Sequence, residues 1–284
     1  DSATRKVTTI GKAYEGLPAE AFGEMLSFTY TARDGAKIPG YITMPPGKPG
    51  KNLPMIVMPH GGPELRDVMG YDDWVQFLAN RGYAVFQPNF RGSGGYGKAF
   101  LEAGYRQWGR RMQDDITDGV KALIADGTAD ANRICIVGAS YGGYAALAGG
   151  AFTPELYKCV VSIAGVSDIA LMLKEEKFDR GSDSYAYEYW RRWVGDPQTD
   201  MEEIKAWSPV NHAAKFAAPV MLVHGREDST VRVTHSVAME EALKKAGKSV
   251  KFVRVKYEGH SFGPYGDLEL LKALDEFLPQ HIGN

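Results

Sequence analysis

The run Gly138-Ala139-Ser140-Tyr141-Gly142 sets a serine between two glycines, directly after the apolar stretch Arg133-Ile134-Cys135-Ile136-Val137 and directly before a segment of small residues. A serine in a sharp strand-to-helix turn needs neighbours almost free of side chain, because strand and helix cross where those neighbours lie. The pattern is that of a nucleophile elbow. Such a turn also aims the Tyr141 backbone N–H and the positive end of the following helix at an anion formed beside Ser140 Oγ. A serine hydroxyl is a weak nucleophile at neutral pH, so the elbow requires a histidine base and an acid that orients it, in the chain order serine, acid, histidine. Asp228 lies in Gly225-Arg226-Glu227-Asp228-Ser229-Thr230-Val231, just past an apolar run at 219–224. His260 lies in Glu258-Gly259-His260-Ser261-Phe262, just past another at 250–257. Glu227 competes with Asp228 but sits one residue nearer the strand. His224 ends a strand and reads as a packing residue, and His212, His235 and His281 fall in or beside helical segments as surface or packing residues. His260 is the expected base.

A second donor for the anion is expected from the loop Met58-Pro59-His60-Gly61-Gly62-Pro63, where two glycines let backbone approach a substrate closely. The N–H of Gly62 is the candidate partner of the Tyr141 N–H in an oxyanion hole. His60 has no H-E-x-x-H, paired cysteines or clustered carboxylates beside it, so no catalytic metal is expected. Gly92-Ser93-Gly94-Gly95-Tyr96-Gly97 matches G-x-G-x-x-G, with Asp114 and Asp115 about twenty residues on. However, Asn89, Phe90 and Arg91 separate the glycines from the preceding strand, and the two aspartates open a helical pattern where a dinucleotide site would close a second strand. No cofactor is expected.

These loops need a sheet to hold them. From residue 53 onward, apolar runs at 53–58, 83–88, 133–138, 158–163, 219–224 and 250–257 alternate with helix-length segments at 71–81, 112–126, 141–151, 232–246 and 267–278. The latter carry apolar residues three and four apart, as at Ile116, Val120, Leu123 and Ile124. Continuous apolar strands joined by helices make a mostly parallel, doubly wound α/β sheet flanked by helices on both faces. Its carboxyl edge gathers the functional loops, which brings Ser140, Asp228 and His260 to one edge. Upstream, Leu26-Ser27-Phe28-Thr29-Tyr30 alternates, and Asp34-Gly35 reverses the chain into Ile38-Pro39-Gly40-Tyr41-Ile42, a hairpin whose Pro39 suits an edge strand. The long connection 166–218, rich in aromatics such as Tyr185, Tyr189, Trp190 and Trp193, is the kind of insertion that shapes a pocket. Residues 1–25 read as a lead-in segment, β-prone at Arg5-Lys6-Val7-Thr8-Thr9-Ile10, and 26–284 as one domain. Asp1 stands where an initiator methionine would, with neither a basic nor an apolar leader after it, so the expectation is a chain whose start has been removed.

The 284 residues carry 33 basic and 35 acidic side chains, a formal charge of −2. That leaves no broad cationic surface for a phosphate backbone, so no nucleic-acid partner is expected. Apolar runs such as Met55-Ile56-Val57-Met58 fall far short of the roughly 20 residues that span a bilayer, so no membrane span is expected either. Two cysteines, Cys135 and Cys159, cannot build a disulfide framework, and each reads as a small hydrophobe in a buried strand.

Taken together, the motifs resemble the catalytic domain of the prolyl oligopeptidase family of serine peptidases over about residues 26–282. The resemblance rests on His60-Gly61-Gly62-Pro63, on the segment from Arg81-Gly82-Tyr83 to Asn89-Phe90-Arg91-Gly92-Ser93-Gly94-Gly95-Tyr96-Gly97, on the elbow through Gly143-Tyr144, and on the Asp228 and His260 loops. The His-Gly-Gly-Pro loop is similar to that of the acylaminoacyl-peptidase and dipeptidyl-peptidase branches. The resemblance implies an α/β-hydrolase fold and a serine peptidase acting on short peptides through an acyl-enzyme. It also implies an N-terminal β-propeller that limits access to the site, absent from this chain unless residues 1–25 are its remnant, with Arg5 to Ile10 resembling its last strand. In prolyl oligopeptidase proper a tyrosine side chain from the oxyanion loop donates to the anion; His60 and Met58 depart from that pattern, which leaves the role to the Gly62 backbone. Val166 and Val231 match family positions that line the pocket for the residue before the scissile bond. The expected chemistry is therefore metal-free hydrolysis of a short peptide by Ser140, His260 and Asp228. A carboxylesterase on the same fold and a non-catalytic binding domain are the alternatives, while homo-oligomer formation and compartment, cytoplasmic or periplasmic and secreted, stay open.

Overall fold

The computed structural model describes residues 3–8, 11 and 16–283. Arg5 to Thr8 take no regular structure, and Thr9 and Ile10 of the β-prone lead-in lie outside the described residues. Eight strands form one sheet: β1 (Glu24–Thr31), β2 (Lys37–Met44), β3 (Leu53–Val57), β4 (Ala84–Pro88), β5 (Ala129–Ala139), β6 (Cys159–Ile163), β7 (Val220–Gly225) and β8 (Val250–Val255). Their spatial order is β1-β2-β4-β3-β5-β6-β7-β8. The hairpin β1–β2 and the pair β2–β4 are antiparallel, and every pairing from β4 to β8 is parallel.

Burial of both faces explains why the central strands read as unbroken apolar runs. Met55, Val57, Phe86, Ile134, Ile136, Val160 and Leu222 enter one core with helices α3 (Arg111–Ala125), α4 (Tyr141–Phe152) and α8 (Thr234–Lys245). The alternate residues Ile56, Val85, Val137, Val161, Met221 and Val223 pack on the other face against α1 (Asp73–Asn80) and α9 (Pro264–Phe277). A short helix, α2 (Lys98–Glu102), follows the glycine-rich loop, and the long connection folds into α5 (Ile169–Arg180), α6 (Tyr185–Val194) and α7 (Met201–Ala206). The chain ends in α10 (Pro279–Ile282). No helix among the described residues is long and apolar enough to cross a membrane.

Two expectations need correction. Strand β2, which carries Pro39, is not an edge strand, because β1 lies outside it. Pro39 is tolerated because the β2–β4 ladder begins only at Gly40 opposite Pro88, so its missing N–H falls where β4 has already ended, while its carbonyl accepts from Asn89 N. Cys135 and Cys159, read as separate small hydrophobes, stand directly opposite each other on β5 and β6 with Cα atoms 4.7 Å apart and are joined by a disulfide. Both strands direct these positions to the same face, so register brings the two sulfurs together.

Candidate active site

Ser140 occupies the turn between β5 and α4 with φ 59° and ψ −120°, a backbone conformation that a residue bearing a side chain takes only when its surroundings impose it. The surroundings are backbone. A Cβ on Gly138 would lie 2.2 Å from Gly142 O, and one on Gly142 would lie 2.1 Å from Pro59 O. Both glycines are thus required by the crossing of strand, helix and the 58–63 loop. The elbow is pinned from below by the Ser140 N–H, which donates to Ile163 O at 2.9 Å, and from above by Tyr144 N donating to Ser140 O at 3.0 Å.

At the carboxyl ends of β7 and β8 the next two residues arrive on the same edge. His260 Nδ1 donates to Asp228 Oδ2 at 2.8 Å, and Ser140 Oγ donates to His260 Nε2 at 2.9 Å. The carboxylate opposite Nδ1 sets this tautomer. Asp228 is buried, and its Oδ1 accepts from the N–H groups of Thr230 and Val231, each at 2.9 Å. Burial alone would disfavour its charge. Hydrogen bonds from His224 and His260, attraction to His260 and the Val231 N–H outweigh that effect and hold its carboxyl far below the usual range. Of the competing histidines, His235 is buried against Ser167 and Glu175, and His212 bonds Ala206 O. His224 does more than pack. Its Nε2 faces Val231 O at 2.7 Å and Asp228 Oδ2 at 3.2 Å. Nothing in the residue types around position 224 signalled that contact, which depends on the direction of a side chain at a strand end.

The 60–66 loop passes beside the elbow, since a Cβ on Gly61 would sit 3.5 Å from Ser140 Cβ. Gly62 has φ 116°, and a Cβ there would meet Glu64 N at 2.6 Å, so this turn admits only glycine. The glycine-rich 92–97 segment buttresses this loop: Gly94 N donates to Glu64 O, and Ser93 Oγ lies 2.8 Å from His60 Nε2. The His60 ring stacks on Phe90 at 4.4 Å, and burial pushes its pKa down to about 4. Arg91 forms a paired hydrogen bond with the buried Asp115 on α3 and reaches Asp34 in the β1–β2 turn. Residues of this segment and its neighbours therefore hold loops together.

A cavity of about 340 Å³ opens beside the elbow, lined in part by His60, Gly61, Asp67, Trp74 and Ala139. In it burial raises the Asp67 carboxyl to about 7, opposed by a hydrogen bond from Gln87 and helped by the charge of Asp72. Larger cavities, of about 500 Å³ between α1 and α9 and about 540 Å³ between α5 and the segment 197–201, are lined by none of Ser140, Asp228 or His260. Val166 and Val231 are both buried. Val231 closes the Asp228 turn, while Val166 follows Gly165, whose backbone packs on Gly143 of α4. Among the described residues, no group of three or more His, Cys, Asp or Glu is gathered as a metal-binding set.

A family model described as the prolyl oligopeptidase family matches residues 70–284. Dipeptidyl aminopeptidase BIII of Pseudoxanthomonas mexicana is 35% identical over 264 residues, which cover 89% of this chain and 38% of that protein. Among solved structures, a puromycin-hydrolyzing peptidase of Mycobacterium tuberculosis superposes with a TM-score of 0.87 at 26% identity, covering 95% of this chain and 41% of that one. The acylaminoacyl peptidase of Pyrococcus horikoshii gives 0.83 at 26% identity, covering 93% and 42%. The chain spans about two fifths of the length of these relatives.

Proposed function

Because the chain belongs to the prolyl oligopeptidase family, we propose that it is a serine peptidase that cleaves short peptides through an acyl-enzyme. The observation that carries this reading is the unbroken contact from Ser140 Oγ through the His260 ring to Asp228, built from three separate loops. In the proposed mechanism Ser140 attacks the scissile carbonyl while His260 Nε2 takes its proton and then passes it to the leaving amine. Asp228 keeps the ring in the tautomer that can accept it and stabilises the imidazolium. The N–H groups of Gly62 and Tyr141 stabilise the oxyanion, aided by the amino end of α4. Val166 and Val231 form walls for the residue before the scissile bond. Restriction to short peptides falls to a β-propeller outside this chain.

The test is hydrolysis of matched amide and ester substrates bearing dipeptidyl or N-acylaminoacyl groups, with Ser140→Ala as control. Amide turnover that disappears in Ser140→Ala is the expected result, and the better acyl group assigns the branch. Ester turnover without amide turnover would make the protein an esterase, and amide turnover that survives Ser140→Ala would refute the mechanism.

A further inference from the structure

His224, the penultimate residue of β7, has an exposure of 0%, and its imidazole reaches the same Asp228 oxygen that holds His260. Two acceptors face Nε2, the Val231 carbonyl and Asp228 Oδ2, so that nitrogen carries the proton. Nδ1 then accepts from Ser236 Oγ at 2.8 Å, a hydroxyl on α8 that is itself buried.

We propose that His224 is a positioning residue for the triad, its Nε2–H bridging the Asp228 carboxylate and the Val231 carbonyl so that one imidazole fixes both the acid and the pocket wall. The proposal rests on the reading of Asp228 as the triad acid. With Oδ1 tied to two backbone N–H groups, the carboxylate can still tilt Oδ2 away from His260. The His224 N–H removes that freedom. A buried histidine with satisfied nitrogens is ordinarily a packing residue, and an apolar side chain of similar size replaces such a residue at small cost. Here an apolar substitute leaves Oδ2 and the Val231 carbonyl short of a donor in a place without solvent.

The experiment measures kcat, KM and the rate of Ser140 labelling by a fluorophosphonate in His224→Leu, His224→Gln and Ser236→Ala, beside Ser140→Ala. His224→Leu is expected to lower kcat and the labelling rate about tenfold or more, the scale of a lost charge-assisted hydrogen bond, with KM raised. Glutamine, whose amide N–H can serve the same acceptors, is expected to restore most of the rate, and Ser236→Ala to show a smaller fall of the same sign. A folded His224→Leu protein with wild-type rates overturns the proposal, as does a glutamine variant as slow as leucine. Should leucine fail to fold, wild-type labelling in Ser236→Ala overturns it instead. Turnover surviving in Ser140→Ala refutes the underlying triad, whereas its loss there together with unaffected His224 variants refutes the positioning role alone.

Discussion

Replacing Asp228 by asparagine exchanges one oxygen for an amide nitrogen and redistributes protons along the triad. In the native protein Oδ1 accepts from Thr230 and Val231 N–H at 2.9 Å each, and Oδ2 accepts from His260 at 2.8 Å. An asparagine that keeps its carbonyl toward the two backbone donors turns its NH₂ toward His260 Nδ1. The amide then donates to Nδ1, the ring proton moves to Nε2, and Ser140 Oγ faces an N–H where it needs a lone pair. The flipped amide restores an acceptor to His260 but opposes its NH₂ to two backbone N–H groups. Each N–H left unpaired in a buried site costs about 1–3 kcal/mol, so the productive orientation is disfavoured by about 2–6 kcal/mol, or roughly 30-fold to 10⁴-fold.

The expected fall in kcat lies in that interval, and its upper end matches the loss of about 10⁴ known for a triad acid replaced by its amide. The assay is steady-state hydrolysis of a chromogenic amide, with fluorophosphonate labelling of Ser140 as a second readout and thermal unfolding as the control for folding. Because the Asp228 carboxyl is held far below its usual range, it stays ionised throughout the accessible acid limb, so the comparison is with a fully charged acid. A folded Asp228→Asn protein slowed less than about tenfold would refute the reasoning, since no orientation of the amide leaves both sets of donors satisfied.

Gly142→Ala places a Cβ 2.1 Å from Pro59 O. It is expected to cost about 2–3 kcal/mol of stability or more and to abolish labelling, and a variant that melts and labels like the wild type would contradict this account of the elbow. Arg91→Met leaves the Asp115 carboxylate, with a side-chain exposure of 0%, without its ionic partner. Urea unfolding should show a loss of about 3–5 kcal/mol, against about 1 kcal/mol or less for Arg33→Met in its exposed pairs with Asp114 and Asp118; equal effects would be the contrary result. Asp67 and His60 predict opposite pH dependences. Raised from 3.8 to about 7, the folded Asp67 carboxyl binds its proton more tightly than the unfolded chain does, so its contribution falls as pH rises through that window. His60, lowered from 6.5 to about 4, contributes stability that is present above 6.5 and lost as pH falls toward 4. Chemical unfolding at several pH values should therefore show stability rising with pH in Asp67→Asn and falling with pH in His60→Gln, and identical slopes in the two would contradict both assignments.

What was legible in the amino-acid sequence followed from demands that backbone makes on residue type. Gly138 and Gly142 are readable because no Cβ fits between strand, helix and the neighbouring loop. That Ser140, Asp228 and His260 meet is readable because each follows an apolar run, and parallel strands deliver their carboxyl ends to one edge. The helices flanking the sheet announced themselves by apolar spacing, as Ile116, Val120 and Leu123 do along α3. These are local facts, and local patterns carry them.

Other features depend on register and side-chain direction, which residue types do not encode. Pro39 marked a strand of limited pairing, but only the ladder decides that the gap falls at the end of β4 and not along an open edge. Cys135 and Cys159 were readable as buried, yet their pairing needs β5 and β6 to align those two residues and no others. The same holds at the edge that gathers Ser140, Asp228 and His260. A histidine four residues before the acid looks like the end of a strand, and only the turn at 225–231 swings Asp228 back over it, so that Oδ2 meets His224 as well as His260. Motif spacing thus names the residues expected to move protons, while the groups that hold them in place are settled by how the turn folds over the strand beneath. The histidine and hydroxyl behind Asp228 belong to that second class, and their substitution should alter the rate through geometry while every atom of the proposed triad is still present.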